Sequence, residues 1–425
     1  VDSDESDRLS ADDARILDVE SAAITGQTLK LVVLEPAAGA VDLDTLRASV
    51  RARLARQPRA TQRVDTSGAQ PKWVAAADFD IRAHVRAHSD GCTTREDLWR
   101  AVSHLMSQHL DRSRPLWTFD LIGPLDDGRQ AIAARLHHAM ADGISAVQFL
   151  DSVLFDEHSA LPPRQTRTPT ERASTAAHSW RVPSAVVREL GHPGSRSPFD
   201  RPISIAREMA FAEATIADMR AIGASRPQPA TVNDVLLAVV AGGLRTWLSA
   251  HDTISRHLRA QIPVSLHHRD EGSAALGNRD SFINVDLPVG EANPLIRLDR
   301  ISSETSRRKQ LDDAAELYEF FHALGRVKHV EKIARRLAGS AREFSLSISN
   351  VPGPRSPVGV GGRPVESLFS SSEPGAHHAL RVSAISCAGR FGIGVCGDPH
   401  ALPDVTRLAE AIESSCAELR CAAIG

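Results

Sequence analysis

Over the first 155 residues the apolar positions switch between two periods. "TLKLVVLEP" (28–36) reads as a buried strand ended by Pro36. "DLDTLRASVRARLARQP" (42–58) sets Leu43, Leu46, Val50 and Leu54 on one face of an amphipathic helix. "FDIRAHVRA" (79–87) alternates Phe79, Ile81 and Val85 as a strand does. "TREDLWRAVSHLMSQHL" (94–110) predicts a helix opening on Thr94, with a capping box to Asp97. "PLWTFDLIGP" and "RQAIAARLH" are strands on either side of "LDDGR" (125–129), where Asp127-Gly128 favours a hairpin. "GISAVQFLDSVLF" (143–155) closes the unit as a helix. The class is α/β (α+β in its segregation), with more antiparallel than parallel pairing.

From 159 to 204 the periodicity stops. "LPPRQTRTPTERAS" and "GHPGSRSPFDRP" are rich in Pro, Ser, Gly and Arg and read as a linker, with a short helix near 183–190. Periodic patterning resumes near 205. "TVNDVLLAVVAGGLRTWLSAH" (231–251) predicts a buried helix, and "RAQIPVSLH" and "SFINVDLPV" predict strands. Helices are expected within 294–339, a strand in "EFSLSISNVPGP" (343–354), and a hairpin in "HHALRVSAISCAGRFGIGVCGDP". Pro403 is placed to start a closing helix. The chain thus divides into 1–158, a linker 159–204, and 205–425. The similar content of the two halves points to a pseudo-dimer, and a cleft between halves is the default ligand site.

Composition narrows the classes. At 425 residues the chain exceeds one ordinary core, so two domains are expected. A net charge of −3 argues against a nucleic-acid binder. Of 50 basic residues only Lys30, Lys72, Lys309, Lys328 and Lys332 are lysines, a bias that reads as genome composition. The five cysteines form no CxxC and are odd in number, which predicts reduced thiols in a cytoplasmic protein and no metal site. No run of about 18 apolar residues is present to span a membrane. The acidic "VDSDESDRLS" reads as a frayed end rather than a signal peptide.

Three His-His pairs are candidates for chemistry: His137-His138, His267-His268 and His377-His378. The first lies where a strand ends and a helix begins, followed by Asp142-Gly143. In HHxxxDG a base, a carboxylate and a steric gap fall within seven residues. Imidazole titrates near neutrality and can take a proton from an alcohol attacking an acyl carbon. A structural account competes with this, with Asp142 as an N-cap and the histidines as satisfied polar groups at a strand end. The second pair enters a polar loop and the third starts a strand, and both read as structural. None has zinc-ligand spacing.

HHAMADG (137–143) resembles the HHxxxDG signature of coenzyme-A-dependent acyltransferases and condensation domains. "RSRPLW" (112–117), "TVNDVLLAVVAGGLR" (231–245), "LGN" (276–278), "LP" (287–288) and "SNVPGP" (349–354) are similar, in order, to motifs of the bacterial wax ester synthase/diacylglycerol acyltransferase family. The resemblance implies two chloramphenicol-acetyltransferase-like subdomains with a central channel and the HHxxxDG loop at its middle. It implies His138 as general base, His137 and Asp142 as structural or orienting, and Gly143 as leaving channel space. It implies that Asn233, Asp234, Asn278, Asn350 and Trp117 shape the substrate channel or its crossover segment, with Pro115 and Trp117 packing rather than reacting.

The implied reaction moves a fatty acyl group from acyl-CoA to an alcohol, diacylglycerol or a fatty alcohol, in a ternary complex without an acyl-enzyme. No cofactor is implied, because acyl-CoA is a substrate. Two alternatives stay open: a natural-product hydroxyl or carrier-protein donor, and a non-catalytic acyl-ligand binder. A helix over 205–222 and the linker are the candidates for peripheral membrane or lipid-droplet contact.

Overall fold

The computed structural model describes residues 8–37, 39–68, 70–88, 91–156, 197–251, 257–265, 280–311 and 344–425. Outside these lie most of the expected linker, His267-His268, Asn278 and the helices expected after 311.

In chain order, α1 (Ala11–Val19) leads to strand β1 (Gln27–Leu34). α2 (Leu43–Arg53) follows, capped by Asp42, whose carboxylate accepts the Thr45 N–H at 2.8 Å. β2 (Gln62–Asp65) and β3 (Lys72–Ala75) form a separate ribbon. Next come α3 (Ile81–His84), β4 (Val85–Ala87), α4 (Arg95–Met106), β5 (Trp117–Ile122), β6 (Gln130–His137) and α5 (Gly143–Val153). The Thr94–Asp97 capping box of α4 is present in both directions. The later part runs β7 (Glu208–Thr215), α6 (Ile216–Ala224), α7 (Val232–Ala250), β8 (Leu258–Ser265), β9 (Asp280–Leu287) and α8 (Pro294–Leu311). It ends with β10 (Leu346–Val351), β11 (Gly359–Val360), β12 (Arg363–Ser372), β13 (Leu380–Cys387), β14 (Arg390–Gly397) and α9 (Val405–Ile424).

Two six-stranded sheets result, in the orders β11-β12-β1-β6-β5-β4 and β7-β14-β13-β10-β8-β9. Antiparallel pairs dominate, with β10 parallel to β13 and β8, and β4 parallel to β5. β1 is a central strand buried along its whole length. Leu29, Leu31 and Val33 pack with α4 on one face, whereas Val32 and Leu34 join α2 and α5 on the other. A strand with two apolar faces needs a nearly continuous apolar run, and "TLKLVVL" supplies one. In the second sheet α7, α8 and α9 cover one face and fill the larger core.

The two sheets are stitched together by the crossover β12, which belongs to the later part of the chain but pairs with β1 of the first sheet. β12 also lies against β14. A Cβ added to Gly392 would meet the Leu368 carbonyl oxygen at 2.2 Å, and one on Gly394 would meet that of Ser370 at 2.2 Å. Glycine is what permits this approach. Beside it, Phe211 of β7, Phe369 of β12 and Trp99 of α4 stack, with Phe211–Phe369 centroids 5.0 Å apart and Trp99–Phe211 4.6 Å.

Several elements differ from the sequence expectations. Residues 79–87 are a turn of helix followed by a three-residue strand, because Asp80 accepts the Arg82 N–H at 3.0 Å and caps α3. The helix expected over 205–222 is instead β7 followed by α6. β7 pairs with β14 over eight residues, burying Met209 and Phe211 toward the inter-sheet cluster and Ala210 and Ala212 toward the other core. The first half of the expected membrane-facing helix is therefore a sheet strand. Pro403 stands outside α9, which starts at Val405 behind Asp404 in the left-handed region (φ 58°). β2, β3, β11 and β12 were not predicted.

Candidate active site

β6 ends at His137, and the chain turns through His138 to Asp142, the N-cap of α5. Backbone bonds set this turn. The N–H groups of Met140 and Ala141 donate to the His137 carbonyl at 2.9 and 3.2 Å. The His137 N–H donates to the Leu116 carbonyl at 3.0 Å, and the His138 N–H to the Gly26 carbonyl at 2.7 Å. Leu116 is the middle residue of "PLW", so that motif braces the strand carrying the histidines. Trp117 is buried in the core. Its indole N–H donates to the Ala60 carbonyl at 2.9 Å, and its ring stacks on His84, tilts against Phe119 and meets Phe149 edge-on.

The two histidines differ in their surroundings. His137 is buried, and its Nδ1 accepts the Ala139 N–H at 3.1 Å. That leaves the proton on Nε2, which lies 3.5 Å from the Glu20 carboxylate. Burial acts to raise the Glu20 carboxyl, but His137, Arg112 and His109 together hold it below its ordinary value. His138 is half-buried, with Nε2 3.4 Å from the Ser372 hydroxyl at the end of β12. Burial, then the charges of Arg381, Lys30 and His137, push it down to about 3, and Asp142 opposes them. His138 is thus a neutral imidazole at physiological pH.

Asp142 caps α5, its carboxylate accepting the Ser145 N–H at 2.7 Å. Its charge also bears on His138 and Lys30. Gly143 does not border an open gap. A Cβ there would come within 2.7 Å of Val351 Cγ2 at the end of β10, so protein fills the space. Asn350, the residue before Val351, is exposed and pairs with Ala384 of β13. Asn233 is half-buried in the first turn of α7. Asp234 is buried and takes part in a capping box with Thr231, while its other oxygen accepts the Thr305 hydroxyl of α8 at 2.6 Å. It ties two helices rather than facing His138. In the third histidine pair His377 is exposed, whereas His378 stacks on Phe344 with centroids 3.8 Å apart.

Four residues that the sequence did not single out surround this turn. Glu373, directly after β12, accepts the Thr25 N–H at 2.7 Å, the Thr25 hydroxyl at 3.0 Å and the Gly26 N–H. It thereby fixes the backbone whose carbonyl holds His138. Arg207, before β7, pairs with Glu373 at 3.4 Å. Ser372 presents its hydroxyl to His138, and Lys30 of β1 is buried nearby. Burial pushes Lys30 down to about 8, against the pull of Asp142. The single sequence signal was a lysine inside an apolar strand.

The arrangement, a neutral imidazole steered by backbone bonds and reached from the end of β12 and the segment before β1, suits proton abstraction from a hydroxyl. Comparison with known proteins gives the family. Residues 9–194 match the wax ester synthase/diacylglycerol acyltransferase catalytic domain, and residues 276–420 match the C-terminal domain of that family. A Mycobacterium tuberculosis protein described as a probable diacylglycerol O-acyltransferase is 30% identical over 388 residues, spanning 82% of this chain and 81% of its own. The solved wax ester synthase/diacylglycerol acyltransferase from Marinobacter aquaeolei VT8 has a TM-score of 0.73 at 23% identity, over 98% of this chain and 99% of that one. The first condensation domain of the CDA synthetase has a TM-score of 0.64 at 16% identity, over 99% and 97%. The fold is therefore that of two acyltransferase-like subdomains, and the chain belongs to the wax ester synthase/diacylglycerol acyltransferase family, whose members pass an acyl group to an alcohol.

Proposed function

We propose that the protein transfers a fatty acyl group from acyl-CoA to the free hydroxyl of diacylglycerol, with His138 as general base. The observation that carries this reading is the setting of His138. It is half-exposed and neutral at the point where the ends of β6 and β12 meet the segment before β1. The acceptor's hydroxyl proton moves to Nε2 as its oxygen bonds to the thioester carbon. The C–S bond then breaks, and the thiolate takes the proton back from the imidazolium. Asp142 offsets the transient positive charge. Help of this kind is worth roughly 10²–10⁴ in rate. Three of the buried cysteines are poor nucleophiles for a covalent route. Burial pushes Cys387 and Cys416 up to about 11 and Cys396 up to about 12.

The test is thiol release by purified protein, crossing short and long acyl-CoAs and an acyl carrier-protein donor with diacylglycerol, fatty alcohols and no acceptor. Release that requires both long acyl-CoA and diacylglycerol is expected, with no burst when the alcohol is omitted. A His138→Ala protein should lose roughly 10²–10⁴-fold in kcat, and near-normal release would overturn the base assignment. Tight acyl-CoA binding without turnover on any alcohol would favour a binder instead. Because the acceptor is a lipid, contact with its surface is proposed to be peripheral. Among the described residues no helix is long and apolar enough to cross a membrane. Vesicle flotation checks this, and failure to float with diacylglycerol-containing vesicles would exclude it.

A further inference from the structure

The register of β1 against β12 sets Thr28 opposite Ser372 and Lys30 opposite Ser370, and all four are buried. The Lys30 ammonium donates to the Ser370 hydroxyl at 3.0 Å and to the Thr28 hydroxyl oxygen at 3.3 Å. Thr28 in turn donates to the Ser371 carbonyl at 2.9 Å. A hydroxyl has one proton, so with that proton spent the Thr28 oxygen is an acceptor for its other neighbours. One of these is Ser372, whose Oγ lies 3.2 Å away and donates to it. Ser372 has then committed its own proton and turns a lone pair toward His138 Nε2 at 3.4 Å.

Polarity at that last contact matters. A hydroxyl donating to Nε2 would occupy the lone pair the base needs and would favour the neutral ring. A hydroxyl whose proton is spent elsewhere leaves the Nε2 lone pair to an incoming alcohol, and its oxygen can accept from Nε2–H once the imidazolium forms. Asp142 favours a positive charge at position 30, but the direct hydrogen bonds of the ammonium go to Ser370 and Thr28. A buried charge is costly, and an apolar side chain of similar length would fill the same strand position. The ammonium is retained at a place where it holds two hydroxyls of the chain that ends on the base.

We propose that Lys30 and Thr28 are positioning residues for acyl transfer: together they hold the Ser372 proton away from His138 Nε2, so that the Nε2 lone pair stays available to the acceptor alcohol and the Ser372 oxygen can accept from the imidazolium. The inference rests on His138 being the base.

The experiment is steady-state thiol release by Lys30→Met, Thr28→Val, Thr28→Ser and His138→Ala proteins, each melted to establish that it folds. Thr28→Val and Lys30→Met should lose about 10- to 100-fold in kcat, the scale of a misplaced catalytic group. KM for donor and acceptor should stay within about 3-fold. Thr28→Ser keeps the hydroxyl and should keep kcat within about 3-fold of the parent. The Lys30→Met/Thr28→Val double variant should lose little more than the worse single, because both act through one chain. Parental kcat in folded Thr28→Val, or an equal fall in Thr28→Ser, overturns the proposal. The Thr28 pair decides the matter even where Lys30→Met fails to fold. An active His138→Ala protein would defeat the base assignment itself. An inactive one beside an unimpaired Thr28→Val would defeat only this inference.

Discussion

Glu20 and His137 lie together in the buried part of the histidine turn. Glu20 lies 3.5 Å from the ring Nε2, and the ring's other nitrogen is held by Ala139 N–H. Glu20→Ala removes a carboxylate 3.5 Å from the buried His137 ring, which should cost about 1 kcal/mol in urea unfolding. An unchanged midpoint would mean that the contact contributes nothing. Because Glu20 titrates below its ordinary value, its contribution is full above about pH 4.5 and is lost as pH falls through the lower folded value. Thiols give a second check at this scale. Cys421 is exposed whereas Cys92, Cys387, Cys396 and Cys416 are buried. Brief alkylation of folded protein, read by mass spectrometry, should label Cys421 and spare the four others. His138 and Asp142 were legible because their motif is local. Glu20, Lys30, Ser372 and Glu373 were not, since each reaches the turn through pairing with residues far away in sequence.

Elements were legible where one rule decided them. β1, β5, β6, α4 and α7 follow hydrophobic period and capping chemistry, and both survive any tertiary arrangement. β12 escaped because "RPVESLFSSS" is too polar to read as a central strand, yet its buried serines have partners on β1. The stretch 205–222 misled because apolar residues at mixed spacing fit a helix until β14 offers eight backbone partners. The N-terminus of α7 offers a test of structural against catalytic roles. Thr231→Ala should cost about 1 kcal/mol, the usual value of a lost cap. Asp234→Ala also forfeits the Thr305 hydroxyl and should cost more, about 1–3 kcal/mol beyond the cap. Both should leave KM nearly unchanged. A large rise in KM at intact stability would place Asp234 in substrate contact.

At the scale of the whole molecule, three of the described histidines set the acid limit. Burial foremost lowers His84 to about 4, His138 to about 3 and His378 to about 4, from 6.5. In that range the unfolded chain binds more protons than the folded one, so stability is full above about pH 6.5 and falls as pH drops toward 4. Calorimetric Tm should decline steadily over that window, and a Tm that rose would contradict the burial of these rings. The order of synthesis meets a related constraint. β1 and β6 emerge early, but the strand that covers the other edge of β1 is β12, near the end of the chain. At about 5–20 residues per second, roughly 10–50 s separate β6 from β12. For that interval the nascent chain carries an open, apolar strand edge, a template for wrong pairing. Chaperone protection on the ribosome should therefore set the yield of this protein more than its final stability does. His138 cannot meet Ser372 until the residues between them have been made.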